Sequence, residues 1–294
     1  MEGYEAFKER LTEGLLQKGL NAELCGIEKE NGVRKEGLVL RRSSGASASP
    51  VLYTAPLFAL FKDETLSFGE ILEKAAETLK SPVPGVLSEA LLSKENILGN
   101  IVPTIVAKKA GGGAEGEAAG FLDLSVVYRL YIRGEDLGEG LMVLTPRTLY
   151  DAGVLGADGL SSEALMERAK ENMKRLLPAD VLSFSGEFCV LSNRSGFYGA
   201  SEILDTDCLS GMAEKLHGSY FILPSSKHEQ ILMPEGNVED PSVLKDIVRQ
   251  VNRTAVERED FLSDSVYFFD SAEKAVAVFD GGASAVRKAY GAAE

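Results

Sequence analysis

The sequence predicts an α+β fold in which antiparallel sheets, built from hairpins, pack against amphipathic helices. Segments with helical spacing and segments with strand alternation occur in mixed blocks, without the strict β-α-β order of a parallel sheet. The one G-x-G-x-x-G match, GGGAEG at residues 111–116, follows no strand predicted from the sequence, which disfavours a doubly wound dinucleotide-binding fold. Proline and glycine cluster between residues 81 and 120, a composition typical of a boundary between lobes.

We therefore expect two lobes. The predicted N-terminal α+β lobe covers residues 1–85, and a linker with a glycine-rich loop covers residues 86–120. The C-terminal α+β lobe covers residues 121–280. The remaining segment, 281–294, is rich in small residues, so we expect a frayed tail.

The N-terminal lobe begins with a predicted amphipathic helix that stops at Gly19. Its apolar residues recur at helical spacing, at Tyr4, Phe7, Leu11, Leu15 and Leu16. The Asn31–Gly32 pair lies between two extended runs and predicts a hairpin. Ser67 and Glu70 form the capping-box pattern of a further helix, whose predicted buried face comprises Ile71, Leu72, Ala75 and Leu79.

The clearest strand of the C-terminal lobe is FLDLSVVYRLYIR, residues 121–133. One predicted face is apolar and comprises Leu122, Leu124, Val126, Tyr128, Leu130 and Ile132. The opposite face comprises Asp123, Ser125, Arg129 and Arg133. The alternation suits an antiparallel sheet with one solvated or helix-covered side, and we expect these polar residues to be solvated. The segment LMVL, 141–144, is its predicted hairpin partner.

Three more helices, a strand-like run at FCVLSN (188–193) and two further pairs of strands are predicted in this lobe. One of the helices lies near ASEILDTDCLSGMAEKL. The segment LSSEALMERAKENMKRLLP has the pattern of a capped amphipathic helix. The apolar runs 219–223 and 230–233 form a hairpin around a short polar stretch. Asp240 and Pro241 start another helix, with a buried stripe predicted at Leu244, Ile247, Val248 and Val251. DSVYFFD and KAVAVFD predict a closing pair of strands.

The charge pattern argues against direct binding of nucleic acid or membranes. The chain carries a formal net charge of −14 and lacks the basic stripe that phosphate-backbone binding requires. No apolar run approaches the roughly 18 residues that a membrane span needs, and the start carries no secretory apolar core. We therefore expect a cytoplasmic protein.

Few residues suited to metal or cofactor chemistry are present. The three cysteines lie far apart without CxxC spacing, and two histidines are too few for a multi-histidine zinc centre. The glycine-rich stretch 107–121 lacks the GxxxxGK[ST] order of a phosphate loop. We expect no cofactor.

The strongest candidate for catalysis is LPSSKHEQ, residues 223–230. A histidine can act as base for a serine when a carboxylate orients the imidazole, and the candidates here are Ser225, Ser226, His228 and Glu229. However, adjacent side chains on an extended chain alternate in direction, and no GxSxG elbow presents either serine. The spacing favours a structural turn, with His228 and Glu229 starting the return strand. We therefore assign no catalytic residue.

A second group could in principle bind a divalent cation through carboxylate oxygens: Glu259, Asp260 and Asp264. The D-x-[DN]-x-[DN]-G loop is absent, so the pattern favours a helix end followed by a turn. We assign no metal site.

Several segments together resemble an uncharacterised bacterial family, domain-of-unknown-function family 5688, common in anaerobic Gram-positive gut bacteria. The resemblance covers about residues 4 to 270 and rests on FLDLSVVYRLY, FCVLSNRSGFYGASEIL, ILPSSKHEQILMP and DIVRQVNRTAVEREDFLSDSVYFFD. It implies a cytoplasmic bacterial protein, encoded among accessory or mobile-element genes, with no established activity and no catalytic residues to assign.

The function that these observations favour is non-catalytic, through contacts with an unidentified protein partner. One alternative is a serine hydrolase that uses the 225–229 cluster. Another is an anti-defence or accessory factor of a mobile element, suggested by acidity and by the family resemblance.

Overall fold

The computed structural model describes residues 2–40, 51–80, 91–108, 117–134, 138–184, 187–280 and 287–288. The chain divides into two compact units, residues 1–91 and 92–294. Helices combine with antiparallel sheets, which confirms the predicted α+β class. The glycine-rich residues 111–116 and most of the predicted tail lie outside the described residues.

The first unit packs helices against a three-stranded antiparallel sheet of order β1-β2-β3. Its elements are α1 (Tyr4–Gln17), β1 (Ala22–Glu28), β2 (Arg34–Leu40), β3 (Leu52–Tyr53), α2 (Thr54–Lys62) and α3 (Phe68–Lys80). Asn31 and Gly32 adopt positive φ in the predicted β1–β2 hairpin. The predicted capping box is present, because the Ser67 N–H donates to Glu70 and the Glu70 N–H donates to Ser67.

The second unit begins with a helix and a sheet arranged around one long strand, β6. The elements are α4 (Lys94–Asn100), β4 (Ile101–Ala107), β5 (Glu117–Phe121), β6 (Leu124–Gly134), β7 (Gly138–Val143), α5 (Pro146–Asp151) and α6 (Ser162–Leu176). β4 pairs with one edge of β6, while β5 and β7 pair with successive halves of the other edge.

A seven-stranded antiparallel sheet completes the second unit. Its elements are β8 (Ala179–Phe184), β9 (Cys189–Asn193), α7 (Thr206–Leu216), β10 (Tyr220–Pro224), β11 (Gln230–Pro234), α8 (Leu244–Thr254), β12 (Val266–Asp270), β13 (Ala275–Phe279) and β14 (Arg287–Lys288). The strand order is β14-β13-β12-β10-β11-β9-β8. Its predicted hairpins, β10–β11 and β12–β13, are both present.

The structure differs from the predicted domain boundaries. Residues 94–107, placed in the linker, form α4 and β4, and β4 is buried along most of its length. The linker was predicted here because prolines and glycines are frequent around this segment. Its run IVPTIVA is nevertheless apolar enough for a buried strand. The boundary between the two units lies at residues 91 and 92.

The predicted strand 121–133 is wrong in two respects. A tight turn at Leu122 and Asp123 divides it into the end of β5 and the start of β6. Every residue from Leu124 to Tyr131 is buried, so both faces of this part of the strand are covered, whereas Arg133 near its end is exposed. Ser125 and Arg129 therefore lie inside the protein.

The prediction for α8 is wrong at two of its four stripe residues. Leu244 and Val248 are buried against the seven-stranded sheet, together with Phe221 and Leu223 of β10. Ile247 and Val251 instead lie exposed, and they continue the line begun by exposed Val243. The apolar surface of α8 is thus wider than the surface that its own unit covers.

Residues 199–204 form a 3₁₀ helix that is buried throughout. The Ser201 hydroxyl accepts a hydrogen bond from the Ile105 N–H of β4, 3.0 Å. Gln230 of β11 donates through its side chain to the carbonyl of Ala200. This buried segment therefore connects the β4–β7 sheet to the seven-stranded sheet.

The buried segment enters through Gly199, where the neighbouring atoms leave no room for a side chain. A Cβ atom there would lie 2.2 Å from Ser192 Oγ and 2.5 Å from the carbonyl oxygen of His228. We expect Gly199→Ala to lower the free energy of unfolding by about 3 kcal/mol, because both neighbours are held in place. Urea denaturation measures this change.

Gly211 provides the matched control, since it lies inside α7 and a Cβ atom added there would have no neighbour within 4 Å. We expect Gly211→Ala to raise the free energy of unfolding by about 1 kcal/mol, because alanine is the better helix former. Equal effects of the two substitutions would contradict the packing argument.

Candidate functional site

The four catalytic candidates lie at the turn between β10 and β11, where the two serine hydroxyls bond within the turn. The Ser225 hydroxyl donates to Glu229 Oε1, 3.3 Å, and the Ser226 hydroxyl accepts from the His228 backbone N–H, 3.0 Å. His228 and Glu229 precede β11, which begins at Gln230, so their predicted place inside the return strand is wrong. Local side-chain bonds of this kind stabilise turns.

The His228 imidazole faces away from both serine hydroxyls and towards other groups. Its Nδ1 lies 3.0 Å from the Gly196 carbonyl oxygen and 3.3 Å from the Tyr198 backbone nitrogen. Its Nε2 lies 3.3 Å from Asp260 Oδ1. With the proton on Nε2, the ring donates to Asp260 and Nδ1 accepts from the Tyr198 N–H, so both nitrogens of the neutral ring have partners other than a serine. Asp260 orients the imidazole, but no described serine contacts the ring.

Lys227 fixes the same turn to the segment 258–260. Its ammonium donates to the Glu259 carbonyl, 2.9 Å, and lies 3.2 Å from Asp260 Oδ1. Its backbone N–H donates to the Asp260 carbonyl, 2.9 Å. Asp260 therefore balances a lysine and contacts a histidine from the adjacent turn.

The metal candidates do not converge. Asp260 is engaged by Lys227 and His228, whereas Asp264 accepts a hydrogen bond from the Asn252 side chain, 2.9 Å. Glu259 contributes its backbone carbonyl to the Lys227 contact. Among the residues that the structure describes, no group of three or more histidine, cysteine, aspartate or glutamate residues could hold a metal ion.

The backbone of the turn supports the buried segment 199–204. The Lys227 carbonyl accepts from the Ala200 N–H, 3.3 Å, and the His228 carbonyl accepts from the Ser192 hydroxyl, 2.7 Å. Buried backbone groups need such partners because they have lost their contacts with water. The arrangement of the candidate residues thus serves the packing of this segment.

Sequence reasoning missed the structural roles of two charged groups, the buried Arg129 and the partly buried Asp123. Arg129 donates to the Thr104 hydroxyl, 3.0 Å, and its guanidinium lies 4.1 Å from the ring centroid of Tyr198. The Lys227 ammonium lies 5.4 Å from that ring. The Tyr198 ring therefore receives cation–π attraction from two residues.

Asp123 ties the β5–β6 turn to the start of β12. Its carboxylate accepts from the hydroxyls of Ser263, Ser265 and Tyr267 at 2.7, 2.8 and 2.7 Å. The signal that could have revealed a buried β6 is the apolar run of β4, which indicates a strand inside a covered sheet. No sequence pattern indicates that the Asp123 carboxylate bonds to these three hydroxyl groups.

Glu202 is a buried carboxyl group within the 3₁₀ segment. It is 2% exposed, and among the described residues its Oε1 has no hydrogen-bond partner. Burial, aided by the nearby Asp205, raises the pKa of Glu202 to about 8. The folded protein therefore retains a proton here at neutral pH.

This proton gives the stability an unusual pH dependence. Since the folded pKa exceeds the ordinary value of 4.5, the Glu202 contribution falls as pH rises between 4.5 and about 8. We expect Glu202→Gln to raise the free energy of unfolding above that of wild type at pH 8.5. This gain should exceed the gain at pH 5 by on the order of 3 kcal/mol. Urea denaturation at the two pH values measures this difference.

Glu171 supplies the control because its side chain is 74% exposed on α6. We expect Glu171→Gln to leave the pH profile unchanged. If the free energies of unfolding of Glu202→Gln and wild type differed by the same amount at every pH, this result would contradict a proton retained on Glu202.

The serine geometry predicts no reaction with a fluorophosphonate probe. Neither Ser225 nor Ser226 has an imidazole in contact to take its proton, so both hydroxyls remain poor nucleophiles. We expect no labelled peptide containing these serines by mass spectrometry. Labelling that disappears in Ser226→Ala or Ser225→Ala would contradict this geometry.

The fold carries no helix, over the ranges described, with both the length and the apolar character needed to cross a membrane. A search of curated proteins and a search of solved structures each returned no match. One family model matches residues 4–189 and 182–271, which together cover most of the chain. The chain belongs to the Family of unknown function (DUF5688), as the resemblance predicted.

Proposed function

We propose that this chain is a non-catalytic protein of the bacterial cytoplasm that acts by binding another protein. The observation that carries the proposal is an apolar line on the surface of the second unit. Val243, Ile247 and Val251 are 46%, 46% and 37% exposed, and we call them the α8 stripe. Three large apolar residues in one exposed line are typical of an interaction surface rather than of scattered surface residues.

The stripe is presented on a firmly anchored helix. Its four-residue spacing places the three side chains on one side of the helix. Leu244 and Val248 hold α8 to the sheet, while the Asn252 side chain donates to the Ser263 carbonyl, 2.9 Å. A partner would therefore meet a preformed surface and would not have to order this helix on binding.

The charges of α8 favour a partner with acidic residues, because Lys245, Arg249 and Arg253 outnumber Asp246 on this helix. Arg249 and Arg253 lie on the same helix, and Arg253 is exposed. Asp246 lies 3.8 Å from Arg249 and balances only one of these cations. On a chain of net charge −14, this local excess of arginine supports an apolar segment flanked by carboxylates as the ligand.

The geometry of the 225–229 turn supports a non-catalytic role. Its serine hydroxyls bond within the turn, and its imidazole contacts Gly196, Tyr198 and Asp260. The backbone of the turn braces the buried segment 199–204. These contacts account for the residue types without a reaction.

Photo-cross-linking tests the α8 stripe. We expect a benzoylphenylalanine residue at position 247, introduced in the cells that naturally produce the protein, to give one discrete adduct with another protein. Val251→Glu should reduce its yield at least tenfold, because a carboxylate would then face the apolar contact. Arg253→Glu should also weaken it, because the charge complementarity is reversed.

The matched control places the cross-linker at position 182, since Leu182 is 54% exposed on β8 and lies outside the stripe. We expect no discrete adduct from this position. The same adducts from positions 182 and 247, or an adduct of twice the chain mass, would contradict a separate partner bound at the stripe.

A further inference from the structure

A cleft of about 580 Å³ lies between the β4–β7 sheet and two helices of the second unit. Ala118, Ala119 and Gly120 of β5 line one side, and residues of α5 and α6 line the other. Clefts of about 300–1,000 Å³ with mainly apolar walls are typical binding sites for small molecules. The cleft is separate from the 225–229 turn and from the α8 stripe, whose residues do not line it.

The most informative group in its wall is Tyr128. This residue is 4% exposed, and it lines the cleft. Burial raises the pKa of Tyr128 to about 12, so the hydroxyl stays protonated and can donate. A buried tyrosine hydroxyl normally has a partner, and here the cleft is the space in which an acceptor oxygen could supply one.

The charged groups of the cleft select against an anionic ligand. Glu163, Glu167 and Lys170 line it, which leaves one net negative charge. The Lys170 ammonium already lies 3.6 Å from Glu167. A carboxylate ligand would therefore meet repulsion that the paired Lys170 does little to offset.

We propose that this cleft binds a small uncharged molecule with an apolar body and one carbonyl oxygen, which accepts a hydrogen bond from Tyr128. The small residues of β5 leave room for the apolar body, because a Cβ atom at Gly120 would have no neighbour within 4 Å. Leu149, Leu155 and Met166 supply the apolar wall. The site is a binding function beyond the protein contact proposed for α8.

Nile red is a suitable probe, because it is an uncharged aromatic dye with one ring carbonyl. We expect its fluorescence to report saturable binding to one site of the full chain. Gly120→Leu should weaken binding at least tenfold by filling the cleft. Tyr128→Phe should weaken it about fivefold to tenfold by removing one hydrogen bond.

Two controls separate this site from other apolar surfaces. Ile247→Ser, in the α8 stripe, and Leu182→Ser, on β8, should leave the affinity unchanged, and urea midpoints establish that each variant is folded. Binding lost in Ile247→Ser but retained in Gly120→Leu would overturn the cleft as the site. Equal affinities of Tyr128→Phe and wild type would overturn the role of the hydroxyl.

Competition tests the class of ligand. We expect octanamide, which is uncharged and carries a carbonyl oxygen, to displace Nile red at a concentration at least tenfold lower than octanoate. Octanoate that competes as well as octanamide would overturn the preference for an uncharged molecule.

Discussion

The second unit depends on satisfying the backbone of residues 199–204, which is buried between two sheets. A buried 3₁₀ segment cannot bond to water, so each sheet must supply partners for its N–H and carbonyl groups. The seven-stranded sheet contributes Gln230 and the 227–228 turn to these backbone groups, and the β4 strand adds the Ile105 N–H, which donates to the Ser201 side-chain hydroxyl. These directional bonds fix the position of the segment more narrowly than apolar packing alone would.

The same constraint explains why the interior holds charged side chains. Arg129 lies within a strand buried on both faces and finds Thr104 and the Tyr198 ring, while Asp123 finds three hydroxyl groups. A buried charge is tolerated when hydrogen bonds or opposite charges replace water. Glu202 departs from this pattern, because its Oε1 has no partner among the described residues and burial raises its pKa, which favours the uncharged form.

Much of the local structure could be predicted from the sequence because its causes are local. The Asn31–Gly32 hairpin, the Ser67–Glu70 cap and the β10–β11 hairpin each depend on residues within a few positions of one another. The burial of Arg129 and the exposure of Ile247 depend on which distant elements cover β6 and α8. Periodicity identifies an apolar face, but it does not reveal how much of that face the rest of the chain covers.

The fit around Gly199 bears on how variation among relatives should be interpreted. The Ser192 hydroxyl, Gly199 and the backbone carbonyl of His228 meet within one small volume, which leaves no room for a side chain at position 199. The histidine itself is held by imidazole contacts with Gly196, Tyr198 and Asp260, which are also structural. If this histidine were invariant among relatives, its invariance would reflect a structural role. Taking that invariance as evidence of catalysis would assign an enzymatic activity wrongly.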